Sequence, residues 1–252
     1  VSPGTYLYYA RGCDLAGGMP ALVAVPHTCL RPLEANAGEF GLSAAYFDND
    51  HFEGQPVLER VDPLVDYTWR ATTPVTCRVR GHFAARWSGW LLPPVSGRYI
   101  LGMEGGSSCR LILDGETLVD FNFYAPLTQS REIELEAGRF YRIQIDYASW
   151  SLDYDPQVRL LWRMPGDDPA RTALEAAEKA EVIVLALGLS PALEGEEMPV
   201  DAPGFAGGDR TALDLPGPQE ELLRQLHALG KPIVLVLFNG SALAINWAAE
   251  HI

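Results

Sequence analysis

The sequence predicts an α/β domain that is interrupted by an antiparallel β-sandwich. Apolar and polar residues alternate from residue 41 to about residue 165, whereas continuous apolar runs alternate with amphipathic segments from residue 167 onward. The first pattern is typical of strands with one buried face, and the second of buried parallel strands joined by helices. We therefore assign residues 1–38 and 167–252 to the α/β domain and residues 39–166 to the β-sandwich.

The strands of the β-sandwich are marked by alternation and by turn residues. Residues 79–91 place apolar side chains on odd positions and mostly basic or polar ones between them. The dipeptide Asp114-Gly115 tolerates the positive φ angles of a hairpin turn, and Ala137-Gly138 lies between a further pair of alternating segments. Short strands with regular turns and no helical period indicate an antiparallel sandwich.

The α/β part begins with a helix that Pro169 opens. Residues 182–187 then form a continuous apolar run, as buried parallel strands do. Pro218 opens a second helix, which Gly230 ends, and residues 233–238 are the next buried strand. This order predicts a right-handed βαβ unit.

Two parallel strands do not make a stable sheet alone, because both faces and both edges need cover. Residues 5–9, Thr-Tyr-Leu-Tyr-Tyr, are therefore expected to supply one more strand of the same domain. The chain also ends within a segment, so we expect it to be a piece of a larger enzyme.

The two predicted parallel strands end at Gly188 and just before Asn239-Gly240-Ser241, so the loops that follow should leave the same edge of the sheet, where a crevice is expected. The first of these loops carries Glu194, Glu196 and Glu197, three carboxylates within four positions. Neighbouring carboxylates push their pKa values apart, which makes this cluster a candidate general acid/base. The alternative is that the glutamates only solvate a loop.

The composition excludes several classes of protein. With 252 residues, 48% of them hydrophobic, the chain can bury a large core. Its net charge of −14 argues against a nucleic-acid partner, because a phosphate backbone requires a basic surface, and neutral sugars are better suited ligands. No apolar run approaches the roughly 20 residues that span a bilayer, so we expect no membrane partner. Periplasmic, secreted and cytoplasmic locations are not distinguished.

The four cysteines do not indicate a metal site. Cys13, Cys29, Cys77 and Cys109 are widely spaced and include no CxxC pair, so we expect neither a metal nor another cofactor. A Cys13–Cys29 disulfide is one alternative, and reduced, partly buried thiols are the favoured one.

Short segments in a fixed order resemble a known family. One set lies in the predicted α/β part, at residues 9–14, 187–196, 208–210, 213–216 and 239–242. A second set lies in the predicted sandwich, at residues 41–48, 85–90, 96–99 and 113–115. The first set resembles the C-terminal (α/β)6-sandwich domain of glycoside hydrolase family 3, the β-glucosidases and β-xylosidases, and the second resembles a PA14 domain inserted into it. The resemblance implies an α/β sandwich that is incomplete in this chain.

The resemblance also implies a mechanism. Retaining glycosidases of this kind use two carboxyl groups about 5–5.5 Å apart, a nucleophile and an acid/base. The family's nucleophile is an Asp on a (β/α)8 barrel, which this chain lacks, so the barrel is an expected partner and the chain alone is expected to be inactive. The acid/base maps to Glu196, with Glu194 as the alternative. The implied substrate is an oligosaccharide or β-glycoside, and a homodimer stays open.

Aromatic residues of the PA14 part are further candidates. Phe121, Phe123, Tyr124 and Trp150 are predicted to lie in loops, where sugars stack on such rings and the loops restrict the length of the substrate. Local apolar packing is an equal alternative.

An ion pair is predicted to support the acidic loop. Asp209 and Arg210 are expected to form this pair and so to hold the long loop, or to help position Glu196. For the function of the chain as a whole, the competing interpretation is a non-catalytic carbohydrate-binding module.

Overall fold

The computed structural model describes residues 4–34, 38–70, 72–150, 154–195 and 197–252. The chain divides into two compact units, one formed by Leu22–Pro165 and the other by Val1–Ala21 with Gly166–Ile252. We expected the first division near residue 38. In the structure it lies at residue 22, because two short strands before residue 38 pair with strands of the larger unit.

The larger unit, Leu22–Pro165, is a ten-stranded sheet in which every pairing is antiparallel. Its strands are β1 (Val23–Ala24), β2 (Leu30–Pro32), β3 (Leu42–Phe47), β4 (Leu58–Asp62), β5 (Asp66–Thr68), β6 (Phe83–Leu91), β7 (Gly97–Leu113), β8 (Glu116–Leu135), β9 (Tyr141–Ser149) and β10 (Gln157–Arg163). The order is β1-β10-β7-β9-β6-β3-β4, with β2 on β6, β5 on β10 and β8 on β7. The predicted antiparallel arrangement is confirmed.

The alternation of β6 produces the expected buried face. Phe83, Ala85, Trp87 and Leu91 are all fully buried. The strand begins later than predicted, however. The Val79 carbonyl accepts a hydrogen bond from the His82 amide, which closes a turn before the strand. Val79 is also 59% exposed.

The turn between β7 and β8 is the predicted two-residue hairpin. Asp114 and Gly115 have φ angles of 48° and 86°, which suit the right-handed twist of the flanking strands. The Asp114 carboxylate also accepts a hydrogen bond of 2.7 Å from the Arg142 amide.

The expected aromatic loop at residues 121–124 is instead part of β8. Its backbone pairs with β7, with Phe121 opposite Cys109 and Phe123 opposite Ser107. The prediction of a loop was wrong because the ladder resumes after a register shift between Gly105 and Ser107, so the hairpin extends past the irregularity.

Asp62, at the end of β4, is a buried carboxylate that joins three strands. It accepts hydrogen bonds from Tyr46 Oη at 2.5 Å, from Trp87 Nε1 at 2.8 Å and from Arg60 Nε at 2.6 Å. Burial and the Asp62 carboxylate raise the pKa of Tyr46, and the same two causes raise the pKa of Tyr67 to about 12. The carboxylate is therefore fully engaged as an acceptor.

The smaller unit combines helices with short sheets. Its elements are α1 (Pro169–Lys179), β11 (Ile183–Gly188), α2 (Pro191–Glu194), β12 (Asp201–Ala202), β13 (Phe205–Ala206), β14 (Asp209–Arg210), α3 (Gly217–His227), β15 (Ile233–Phe238) and α4 (Asn246–His251). Strands β11 and β15 are parallel and joined through α3, as predicted, while β12, β13 and β14 form a small antiparallel sheet.

One face of the β11–β15 sheet carries the core of this unit. Leu222, Leu223 and Leu226 of α3 are buried there in one cluster with Ile183 and Leu185 of β11. Side chains on the opposite face are exposed, including Val184 at 69% and Val234 at 52%. The continuous apolar runs therefore do not correspond to burial on both faces of these two strands in the described structure.

The strand predicted for residues 5–9 does not form. Tyr6, Leu7 and Tyr9 are each more than 80% exposed, and β11 pairs only with β15 among the described residues. Aromatic and branched residues favour strands only where a neighbouring strand takes up their backbone groups, which explains the wrong prediction.

The cysteines are free thiols, so the Cys13–Cys29 alternative is not realised. Burial, with Asp14 beside it, raises the pKa of Cys13 to about 11, and burial raises the pKa of Cys109. Of the helices in the described ranges, none has both the length and the apolar composition required of a membrane span.

Replacing Asp62 tests its role as the acceptor that joins the strands. Asp62→Ala should lower the free energy of unfolding by about 3 kcal/mol, because it leaves Tyr46, Trp87 and Arg60 without their acceptor. Urea denaturation followed by tryptophan fluorescence measures this, since five of the six tryptophans lie in the larger unit.

The matched control is Asp120→Ala, which removes an exposed ion pair with Arg110 and should cost about 0.5 kcal/mol or less. Equal losses in the two variants would contradict the assigned role of Asp62.

Candidate active site

Strands β11 and β15 end side by side. Gly188, the last residue of β11, is opposite Phe238, the last residue of β15. Gly188 has a φ angle of 132°, and a Cβ atom there would lie 2.0 Å from the Phe238 carbonyl oxygen. Only glycine allows this approach, after which the Leu189 amide donates to the same oxygen at 2.6 Å.

Gln219 holds this strand end from the side of α3. Its side chain is buried, with its Oε1 accepting from the Gly188 amide at 2.7 Å. Its Nε2 donates to the carbonyl oxygens of Gly188 and Leu15, each at 2.8 Å. Sequence reasoning missed this residue, because a single glutamine in the first turn of a helix gives no signal of its distant partners.

Glu194 is the last residue of α2, which follows β11 directly. The helix begins at Pro191 and is capped by Ser190, whose Oγ accepts from the Ala192 amide. The Glu194 carboxylate accepts a hydrogen bond from Ser241 Oγ, three residues beyond the end of β15. The structure therefore brings together the acidic loop and the Asn-Gly-Ser turn, as their positions after parallel strands predicted.

Arg210, at the end of β14, is a cation that lies beside Glu194. Its Nη1 lies 3.7 Å from Glu194 Oε1, and its side chain is only 10% exposed. The guanidinium also donates to three carbonyl oxygens, those of Ala212 at 2.8 Å, Ala242 at 3.1 Å and Asp214 at 3.2 Å. Five N–H donors on a rigid plane allow one side chain to serve this many acceptors.

The expected pair between Asp209 and Arg210 does not form. Successive side chains on a strand point to opposite faces, and Asp209 is exposed while Arg210 reaches Glu194. Arg210 therefore holds the loop through Glu194 and not through its neighbour.

The acidic segment, which runs from Glu194 to Arg210, is brought together by two glycines near its ends, Gly195 and Gly208. A Cβ atom at Gly208 would lie 1.8 Å from the Gly195 carbonyl oxygen, so the two backbones are in direct contact. Glu197 is exposed and has a φ angle of 54°. Glu196, the preferred candidate for the acid/base, lies outside the described residues.

The candidate sugar-binding residues of the larger unit differ in exposure. Phe121 is buried in the core at 7% exposure, whereas Tyr124 is 40% exposed. The rings of Phe123 and Tyr124 have centroids 4.6 Å apart, and that of Tyr154 lies 6.1 Å from Tyr124. Trp150 donates from Nε1 to the Asn122 side chain at 2.8 Å. Phe123, Tyr124 and Tyr154 form an aromatic cluster at the surface. Tyr154 was not among the predicted sugar-binding residues.

The antiparallel unit and the comparisons with known proteins agree. Residues 38–171, over half of the chain, match the PA14 domain family. The chain belongs to the PA14 domain family, and its homologues are family 3 β-glucosidases and β-xylosidases, so the resemblance is confirmed.

Two curated relatives illustrate this. The chain is 24% identical to a xylan 1,4-β-xylosidase of Xylanibacter ruminicola, covering 97% of this chain and 28% of that protein. It is 28% identical to a β-glucosidase of Rhizobium radiobacter, covering 87% of this chain and 27% of that protein. The chain thus spans about 28% and 27% of the lengths of these relatives.

A solved structure supports the fold. The crystal structure of a β-glucosidase from Kluyveromyces marxianus in complex with glucose matches with a TM-score of 0.58 at 20% identity. The match covers 92% of this chain and 29% of that chain.

The role of Gln219 is testable by amide exchange. Gln219→Ala should raise the exchange rate of the Gly188 amide at least about tenfold, because both backbone groups of Gly188 lose a buried partner. Hydrogen–deuterium exchange read by mass spectrometry on peptides covering residues 183–190 measures this.

Gln225→Ala on the same helix is the control, since the Gln225 side chain makes a hydrogen bond to Glu221 at the surface and none to Gly188. Unaltered exchange at residues 183–190 in Gln219→Ala would show that Gln219 does not hold the strand end.

Proposed function

We propose that this chain is part of a retaining exo-β-glycosidase, a β-glucosidase or β-xylosidase, that removes terminal β-linked sugars from oligosaccharides. The proposal is supported by relatives with these names that align with 97% and 87% of the chain. Because the chain spans under a third of their lengths, the proposed activity belongs to a longer protein. The nucleophile is then an Asp of a (β/α)8 barrel outside this chain, and the chain alone is inactive.

The acid/base of the proposed reaction is Glu196, with Glu194 as the alternative. The observation that supports a location in this segment is the contact between Glu194 and Ser241, which brings the start of the segment to the edge where the parallel strands β11 and β15 end. Ligands bind at this edge in open parallel sheets. A carboxyl group presented there is suitably placed to protonate the oxygen of a leaving group.

The PA14 unit is proposed to restrict which substrates are accepted. The aromatic cluster of Phe123, Tyr124 and Tyr154 offers partly exposed rings, and the C–H faces of sugars stack on such rings. Trp150, held by Asn122, is the remaining candidate of this unit. Phe121 contributes to the core beneath them.

Removal of the Glu196 carboxyl tests the acid/base assignment in the complete enzyme. Glu196→Ala should lower kcat about 10²–10⁴-fold on substrates with poor leaving groups, which need protonation. Substrates with good leaving groups should lose less than about tenfold in kcat/KM. Azide should restore their kcat by attacking the glycosyl-enzyme in place of water, which releases a glycosyl azide. The measurement is steady-state kinetics on aryl β-glucosides and β-xylosides of graded leaving-group pKa.

Glu197→Ala is the control, because Glu197 is an exposed neighbour in the same segment. If Glu196→Ala had the wild-type rate on every one of these substrates, Glu196 would not be the acid/base. Binding of oligosaccharides without hydrolysis by the complete protein would instead favour the carbohydrate-binding module.

The substrate-restricting role is testable at Tyr124. Tyr124→Ala should lower kcat/KM for oligosaccharides about tenfold, equivalent to ~1.4 kcal/mol, while monosaccharide aryl glycosides change little. Phe140→Ala is the matched control, since Phe140 is an exposed aromatic of the same unit that contacts Trp90 instead. If kcat/KM depended on the length of the oligosaccharide in the same way in both variants, the proposed role of the cluster would be contradicted.

A further inference from the structure

We infer that Glu194 is a positioning residue of the acidic segment, which it fastens to the end of β15 through Ser241 and to β14 through Arg210. This inference rests on the proposed function, because it assigns the two candidate glutamates different roles in one reaction. It argues against Glu194 as the proton donor, on the basis of contacts that lie entirely within the smaller unit.

The surroundings of the Glu194 carboxylate are those of an acceptor. Oε1 accepts a hydrogen bond from the Ser241 hydroxyl, whose Oγ in turn accepts one of 3.3 Å from Arg210 Nη1. Arg210 Nη1 itself lies 3.7 Å from Oε1, as an ion pair. The second oxygen, Oε2, lies 4.0 Å from the position that a Cβ atom on Gly240 would occupy. The Glu194 side chain is only 17% exposed. A general acid must present its own proton to the substrate, which this arrangement opposes.

The same contacts explain what Glu194 does. It ends α2, a helix of four residues, so the segment that follows has little regular structure of its own to hold it. Ser241 is fixed in turn, since Asn239 Nδ2 donates to its carbonyl oxygen at 2.9 Å. Arg210 is fixed by three further carbonyl oxygens. One carboxylate thereby joins the chain after β11 to the ends of β14 and β15.

This joining restricts the described residues between the two anchors, Gly195 and residues 197–209. The segment leaves the Glu194 anchor at one end and returns to the Arg210 anchor at the other, and the Gly195–Gly208 backbone contact closes it between them. A catalytic group needs support that holds it within about half an ångström of its working position. The anchor at Glu194 supplies such support to whichever carboxyl of the segment donates the proton.

Paired variants in the complete enzyme separate positioning from proton donation. Glu194→Gln keeps an oxygen that accepts from Ser241 and loses only the charge that faces Arg210, so kcat should fall only about threefold, whereas Glu194→Ala should lose about thirtyfold. Both variants should keep the wild-type pH profile, and azide should rescue neither. If Glu194→Gln and Glu194→Ala lost turnover equally, with azide rescue and loss of one limb of the pH profile, Glu194 would be the proton donor and the inference would be wrong.

A second measurement on the 252-residue chain needs no activity. In hydrogen–deuterium exchange, Glu194→Ala and Ser241→Ala should each raise exchange in residues 195–209 at least about fivefold, and Glu194→Gln should raise it less. Glu197→Ala is the control for removal of a carboxylate from the same segment without removal of the anchor. Unchanged exchange in both Glu194→Ala and Ser241→Ala would overturn the inference. Increased exchange, combined with wild-type kinetics for Glu196→Ala, would support the anchor while the proposed function fails.

Discussion

The in-register parallel pairing of β11 with β15 is the constraint on which the candidate site depends. Because Gly188 and Phe238 are opposite one another, the chain leaves both strands at one edge. The contact requires a glycine, and Gln219 satisfies both backbone groups of that glycine. With the edge fixed in this way, α2 and the turn after β15 are brought close enough for Glu194 to contact Ser241.

Among the described residues of the acidic segment, Glu194 forms an ion pair with Arg210. The chain carries 33 acidic and 19 basic residues, so carboxylates greatly outnumber cations. Arg210 contacts the carboxylate of Glu194 and also three backbone carbonyl oxygens of a region with little regular structure. Lysine has a compact charge without a planar fork and would not reach these acceptors together. The arginine thus provides charge compensation and loop geometry at once.

Local sequence patterns predicted much of this fold, but they did not predict which side chains form hydrogen bonds across long stretches of the chain. The Asp114-Gly115 hairpin and the Pro169 helix start follow from the conformational preferences of those residues, and both occur where expected. The Asp62 acceptor could not be foreseen, because its donors Tyr46 and Trp87 lie 16 and 25 residues away. The sequence also located the acidic loop beside the Asn-Gly-Ser turn, since strand direction alone determines that neighbourhood.

Asp62 and Glu194 are two carboxylates that each join separate segments of one unit by accepting hydrogen bonds. Asp62 accepts from three donors in the core of the larger unit. In the smaller unit, Glu194 accepts from Ser241 and forms an ion pair with Arg210. Hydrogen bonds to a carboxylate are about twice as strong as those between neutral groups, so each of these side chains is held firmly in place. In the proposed division of roles, Glu194 is therefore the anchor, and Glu196, to which the family resemblance assigns proton donation, is the acid/base.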